Sequence, residues 1–118
     1  MIQVCRSDEL IEAGDGVRFE IPGKDGSLPA FAVRFDGEVR AYLNQCRHIP
    51  VELDWQPGRF FDADGLYLIC ATHGATYQAD DGLCVAGPCS GQALIALHVR
   101  EAAGAVFVSM TPFSLTQD

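Results

Sequence analysis

Residues 70–77 read CATHGATY, and upstream of them residues 46–51 read CRHIPV. Each stretch joins one cysteine to one histidine, as Cys46-x-His48 and Cys70-x-x-His73, with 21 residues between His48 and Cys70. Residues 45–90 as a whole hold four of the five cysteines, two of the three histidines and many of the Gly and Pro residues. Such a stretch has too little apolar periodicity to fold on a hydrophobic core alone. A metal centre is the economical staple for it.

Outside this region the chain reads as short strands. Val17, Phe19 and Ile21 alternate with Arg18 and Glu20, as in a half-buried strand. FAVRF, then Asp36-Gly37, then EVRAYL is a hairpin signal, because Asp-Gly readily adopts a type I′ turn. In LIALHV, Ile95, Leu97 and Val99 share one face and Ala96, His98 and Arg100 the other. EAAGA then turns the chain into VFVSM as a second hairpin. Helical signals are scarce: Ser7 with Asp8 and Glu9 predicts an N-cap and a helix of at most two turns, ending before Gly14. The fold class expected is mostly β, with small antiparallel sheets and a loop-rich segment.

The 118 residues suit a single domain, and no internal repeat or low-complexity tract is seen. Eight Lys and Arg against 16 Asp and Glu give a net charge of −8. This argues against nucleic acid, which calls for a basic stripe, and against anionic membranes; it fits either attraction to basic protein surfaces or acidity that only keeps the protein soluble. The first residues carry no basic and apolar signal pattern, and no stretch approaches a membrane span, so the expected location is cytoplasmic. An odd number of cysteines, five, reads poorly as a disulfide framework.

The two Cys/His pairs admit two metals. Tetrahedral zinc accepts two Cys and two His, but the usual finger keeps its cysteines in one arm and its histidines in the other, flanking a helix. A [2Fe–2S] cluster held by two Cys on one iron and two His on the other fits the mixed arrangement better. Here the sequence resembles the Rieske family, whose pattern is C-x-H, a spacer, then C-x-x-H. HGATY, with Gly74 and Tyr77, matches the family's H-G-x-x-[YF], and DGLCVAGP (residues 81–88) matches its Pro-bearing cover loop. The resemblance spans about residues 30–110.

It implies a Rieske-type fold, with a base over residues 1–42 and 91–118 and a cluster-binding subdomain over about 43–90. It implies one [2Fe–2S] cluster per chain, with Cys46 and Cys70 on one iron and His48 and His73 on the other, and with Tyr77 bonding a ligand sulfur. Two Fe³⁺, two sulfides and two thiolates sum to zero, two charges above a four-Cys cluster, so an electron is taken up more readily. Rieske potentials accordingly run from roughly −150 to +300 mV. High-potential members add a disulfide clamp and a Ser two residues after the second His. Val51, Thr72 and Ala75 stand at those positions, which predicts a potential in the lower half of the range.

The function implied is that of a soluble ferredoxin: a one-electron carrier without catalysis of its own, working between redox protein partners, a reductase and an oxygenase or other oxidoreductase. The alternatives are a small Rieske-like subunit of an oxidoreductase complex of the nitrite reductase type and a zinc-stapled binding module. The family places its ligand imidazoles at an exposed tip, ringed here by Ile49, Pro50, Ala75 and Pro88. Of the remaining residues, Cys5 is expected in the core and His98 on the solvent side of its strand. Trp55, Phe60 and Phe61 are expected to pack a long spacer onto the domain, with Arg47 a surface residue or a charge beside the cluster. Cys84 and Cys89 are expected as free, partly buried thiols, with a disulfide or an alternative ligand pair as the other readings.

Overall fold

The computed structural model describes residues 1–23, 26–46, 51–54, 56–71 and 74–109. Ten strands run through them: β1 (Ile2–Arg6), β2 (Val17–Gly23), β3 (Gly26–Phe35), β4 (Glu38–Leu43), β5 (Tyr67–Ile69), β6 (Thr76–Gln78), β7 (Cys84–Ala86), β8 (Ala96–Leu97), β9 (Val99–Ala102) and β10 (Ala105–Val108). They form three antiparallel sheets, ordered β1-β10-β9, β2-β3-β4-β8 and β5-β6-β7. The mostly β expectation therefore holds.

The middle sheet organises the molecule, because its strands are apolar on both faces. Along β3, Phe31 and Val33 join one buried cluster, with Phe60, Leu68 and Tyr77. Ala30 and Ala32, between them in sequence, join the other, with Cys5, Ile21, Val106 and Val108. β4 divides likewise, Tyr42 on the first side and Ala41 and Leu43 on the second. The period of two in a strand thus sends alternate residues into two different cores. Cys5 is in the core, 7% exposed, as expected.

Both hairpins form. Asp36 and Gly37 have φ of 54° and 80°, and Ala103 and Gly104 have 53° and 77°. Two successive positive φ values are the type I′ requirement, which suits the right-handed twist of the strands. The segment 94–100 is broken at His98: Leu97 pairs with Ala41 in the middle sheet, while Val99 pairs with Val108 in the terminal one. His98 is exposed, on the side expected.

The helix expected from Ser7 is shorter than predicted. A single 3₁₀ turn, Ser7–Glu9, is all that forms, with Arg6 rather than Ser7 at its N-cap. The Glu9 carboxylate accepts the Arg6 N–H at 2.7 Å, and Leu10 leaves the turn extended and buried, 3% exposed, in the second core. Burying Leu10 there outweighs a helical propensity worth only tenths of a kcal/mol per residue.

Candidate metal centre

The cysteine motifs sit on loops tied to each other by backbone. After β4 the Cys46 N–H donates to the Val51 carbonyl (2.8 Å), closing the first loop on itself. After β5 the Cys70 N–H donates to the Ala75 carbonyl (2.9 Å) and the Gly74 N–H returns to the Cys70 carbonyl (2.8 Å), with Gly74 at φ 73°. The two loops meet where the Ala71 N–H donates to the Leu53 carbonyl (3.0 Å). Cys46 and Cys70 are 3% and 0% exposed and belong to one buried cluster with Ala75, Tyr77, Cys84 and Cys89.

A buried polar clip fixes the spacer behind Cys46. Asn44 donates from Nδ2 to Asp54 Oδ1 (2.9 Å) and accepts the Leu53 N–H (2.8 Å). Asp54 also accepts from the Gly58 N–H (2.9 Å) and pairs with Arg18 Nε at 3.2 Å. Beyond the clip Phe60, fully buried, stacks on Phe31 with centroids 3.9 Å apart and planes 11° apart. The expected packing of the spacer onto the domain is thus seen for Phe60. Phe61 lies 6.1 Å from Phe35, between ring centroids. Sequence reasoning missed the clip, whose two members, Asn44 and Asp54, stand ten positions apart.

Tyr77, fully buried on β6, points its hydroxyl among sulfurs. Its oxygen is 3.5 Å from Cys46 Sγ and 3.0 Å from Cys89 Sγ. Cys89 in turn donates to Cys84 Sγ at 3.2 Å. Cys84 and Cys89 are both free thiols, as expected, but are more fully buried than expected, at 2% each. Burial pushes the Cys89 thiol above the ordinary cysteine range, and the Tyr77 hydroxyl opposes that shift. The cover loop seats on Ala75: a Cβ on Gly87, whose φ is 96°, would lie 2.9 Å from the Ala75 Cα.

Ala75, expected on an exposed rim, is instead 0% exposed, because this loop packs on it. Among the described residues of the cover loop, Leu83 (38%) and Val85 (42%) are large exposed apolar side chains, and Pro88 is exposed as expected. His48 and His73 lie outside the described residues, as do Arg47, Ile49, Pro50, Trp55 and Thr72. Among the described residues no group of three or more His, Cys, Asp or Glu converges as a metal site. What they do offer is two buried cysteines on adjoining loops with a phenol at one sulfur, an environment that suits thiolate ligands, whose charge needs donors. Among these residues no helix is long and apolar enough to cross a membrane.

The Rieske [2Fe-2S] domain profile matches residues 1–106. No curated protein sequence matches the chain. Among solved structures, similarity is found to a complex of a fluorene-bound oxygenase variant with ferredoxin in carbazole 1,9a-dioxygenase (25% identity, TM-score 0.76, 92% of this chain and 28% of that one). The terminal oxygenase of carbazole 1,9a-dioxygenase from Nocardioides aromaticivorans IC177 is similar at 28% identity and TM-score 0.73, over 90% of this chain and 29% of that one. A chain from a complex of reduced oxygenase and oxidized ferredoxin in the same system is covered completely, at 22% identity and TM-score 0.72 over 92% of this chain, a likeness of fold. The present chain thus spans under a third of the first two chains and the whole of the third. With the sheets, the two cysteine loops and the profile in agreement, the chain belongs to the Rieske [2Fe-2S] domain family.

Proposed function

We propose that this protein is a one-electron carrier, taking electrons from a reductase and passing them to an oxygenase or another terminal oxidoreductase. The observation that carries the reading is the Tyr77 hydroxyl 3.5 Å from Cys46 Sγ, inside the buried cluster that also holds Cys70. The proposed ligands are Cys46 and Cys70 for one iron and His48 and His73 for the other, one Cys and one His from each loop. When bound, the cluster supplies reversible one-electron chemistry at a potential set by its charge and its hydrogen bonds.

The protein's own groups do three things in this reading. The loops, cross-tied at Ala71 and Leu53, hold the thiolates in fixed positions, so that little rearrangement accompanies a change of charge. Tyr77 donates to Cys46 and so favours the more negative state. The Gly87 segment, seated on Ala75, excludes water from the sulfur side. Leu83, Val85 and Pro88 offer an exposed apolar patch for docking, and the charge of −8 favours a basic partner face. The same reading takes residues 43–90 as the cluster-binding subdomain on a base of 1–42 and 91–118, supported by sheet β5-β6-β7 lying wholly within the former. It includes a cytoplasmic location, supported by the odd number of cysteines.

The test is direct. The purified protein is expected to be reddish-brown, to contain two iron and two acid-labile sulfide per chain, and to take up one electron. A colourless zinc protein overturns the reading. Reduction by a ferredoxin reductase and reoxidation by a Rieske oxygenase test the partner assignment.

A further inference from the structure

Cys84 and Cys89 belong neither to the proposed ligand set nor to the clamp positions Val51 and Thr72. They flank residues 85–88, all four exposed, while their own side chains are buried. Backbone bonds hold both: Cys84 N–H to the Gln92 carbonyl (2.7 Å), Gly91 N–H to the Cys84 carbonyl (3.0 Å) and Gln92 N–H to the Cys89 carbonyl (3.0 Å). The sulfurs are thereby set 3.2 Å apart, with the Cys89 thiol proton directed at Cys84 and the Cys84 proton at the Ala86 carbonyl (3.3 Å). Tyr77 is the cross-strand partner of Cys84, and its hydroxyl lies against Cys89 at 3.0 Å. The phenol has one proton and two sulfurs within reach, Cys89 and, at 3.5 Å, Cys46.

We propose that Cys84 and Cys89 are a redox-convertible dithiol, a modification site whose oxidation to a disulfide ends the sharing of the Tyr77 hydroxyl between Cys89 and Cys46 and shifts it towards Cys46. This rests on Cys46 being a cluster ligand. The oxidant is a low-molecular-mass disulfide, R–S–S–R. One cysteine thiolate attacks it, the R–S–S–R bond breaks, a mixed disulfide forms and one R–SH leaves. The second cysteine then attacks the mixed disulfide, the Cys84–Cys89 bond forms and the second R–SH leaves. Two electrons pass from the cysteine sulfurs to the reagent, and the two thiol protons end on the two R–SH.

The closure is short: the sulfurs, 3.2 Å apart, must approach to about 2.05 Å. Both are buried, so exchange waits on local opening of the exposed loop between them. Bond formation draws Cys89 Sγ towards Cys84 and away from the phenol. Cys89 then competes less for the hydroxyl, and its charge-assisted bond to the Cys46 thiolate strengthens. The consequence is a higher cluster potential in the disulfide form.

The experiment equilibrates the holoprotein anaerobically in glutathione buffers from reducing to oxidising, followed by alkylation, peptide mapping and voltammetry. The expected result is a Cys84–Cys89 cross-link in the oxidising buffers, with Cys5 still alkylated, the visible spectrum retained and the midpoint potential shifted upward. Reductant reverses all of it. Tyr77→Phe is expected to form the same cross-link with no shift in potential, and Cys84→Ala to show neither. Alkylation of both cysteines at every poise on an intact cluster overturns the proposal, as does a shift of equal size in Tyr77→Phe. A protein that holds no iron fails the electron-carrier reading instead, so the two failures are told apart.

Discussion

At the scale of single residues, the potential turns on which side chains donate to the sulfurs. Tyr77 touches Cys46, whereas Ala75, two residues after His73, has no group to donate. The expected midpoint therefore lies in the lower half of the roughly −150 to +300 mV range, below about +75 mV. A titration placing it near the top of that range contradicts this accounting. Removing the Tyr77 hydroxyl should lower the potential further. A net hydrogen bond worth about 0.5–1.5 kcal/mol corresponds to about 20–60 mV for one electron, so Tyr77→Phe is expected to drop the midpoint by that much. An unchanged value in the variant, measured by voltammetry with the cluster intact, removes Tyr77 from the tuning role. That Cys46, Cys70 and Tyr77 belong together was legible in the sequence, because their spacing follows the chain. The sulfur contacts of Cys84 and Cys89 were not, since they depend on β6 and β7 pairing across a bulge at Thr76 and Tyr77.

At the scale of elements, the loops are held by features that sequence reasoning reads unevenly. The hairpin at Asp36 and Gly37 was legible because turn chemistry is local, and so was the strand through Val17. The helix at Ser7 was not, since a distant core captured Leu10. The Asn44–Asp54 clip was hidden as well, because nothing in a polar spacer tells which carboxylate will be buried. Asp54, 6% exposed, serves Arg18, Asn44 and Gly58 together. Asp54→Ala leaves Asn44 and the Gly58 N–H, both buried, unmatched and is expected to cost about 1–3 kcal/mol, with faster loss of the visible absorption on heating. A variant as stable as the parent makes the clip ornamental. Gly87→Ala tests the cover loop. Its φ of 96° and the 2.9 Å approach to Ala75 predict a cost of about 1–3 kcal/mol, with the loop lifted rather than the base unfolded. Chelator access to the iron should quicken while the global unfolding midpoint moves less.

For the whole molecule, one side chain joins parts that share no sheet. Arg34 leaves β3, donates from Nε to the Leu10 carbonyl (2.8 Å) and from Nη2 to the Ser7 carbonyl (3.2 Å), and forks onto Glu101 of β9 at 2.7 and 3.1 Å. The middle sheet, the 3₁₀ turn and the terminal sheet are thereby tied at one guanidinium. Arg34 holds the Glu101 carboxyl below its ordinary range. A carboxyl with a depressed folded-state pKa binds fewer protons folded than unfolded, so its contribution is present above the unfolded value of about 4.3 and is lost as the pH falls through the folded one. Glu101 is 32% exposed on its side chain, so solvent screening keeps the pair to about 1 kcal/mol or less. The stability gap between the parent and Glu101→Gln, from urea midpoints, should be largest near about pH 6.5 and shrink towards about pH 4. A gap that widens on acidification reverses the sign and removes Glu101 from the tie. The carbonyls of Leu10 and Ser7 would still accept from Arg34 in that variant, so the three parts should stay together while only the pH dependence is lost.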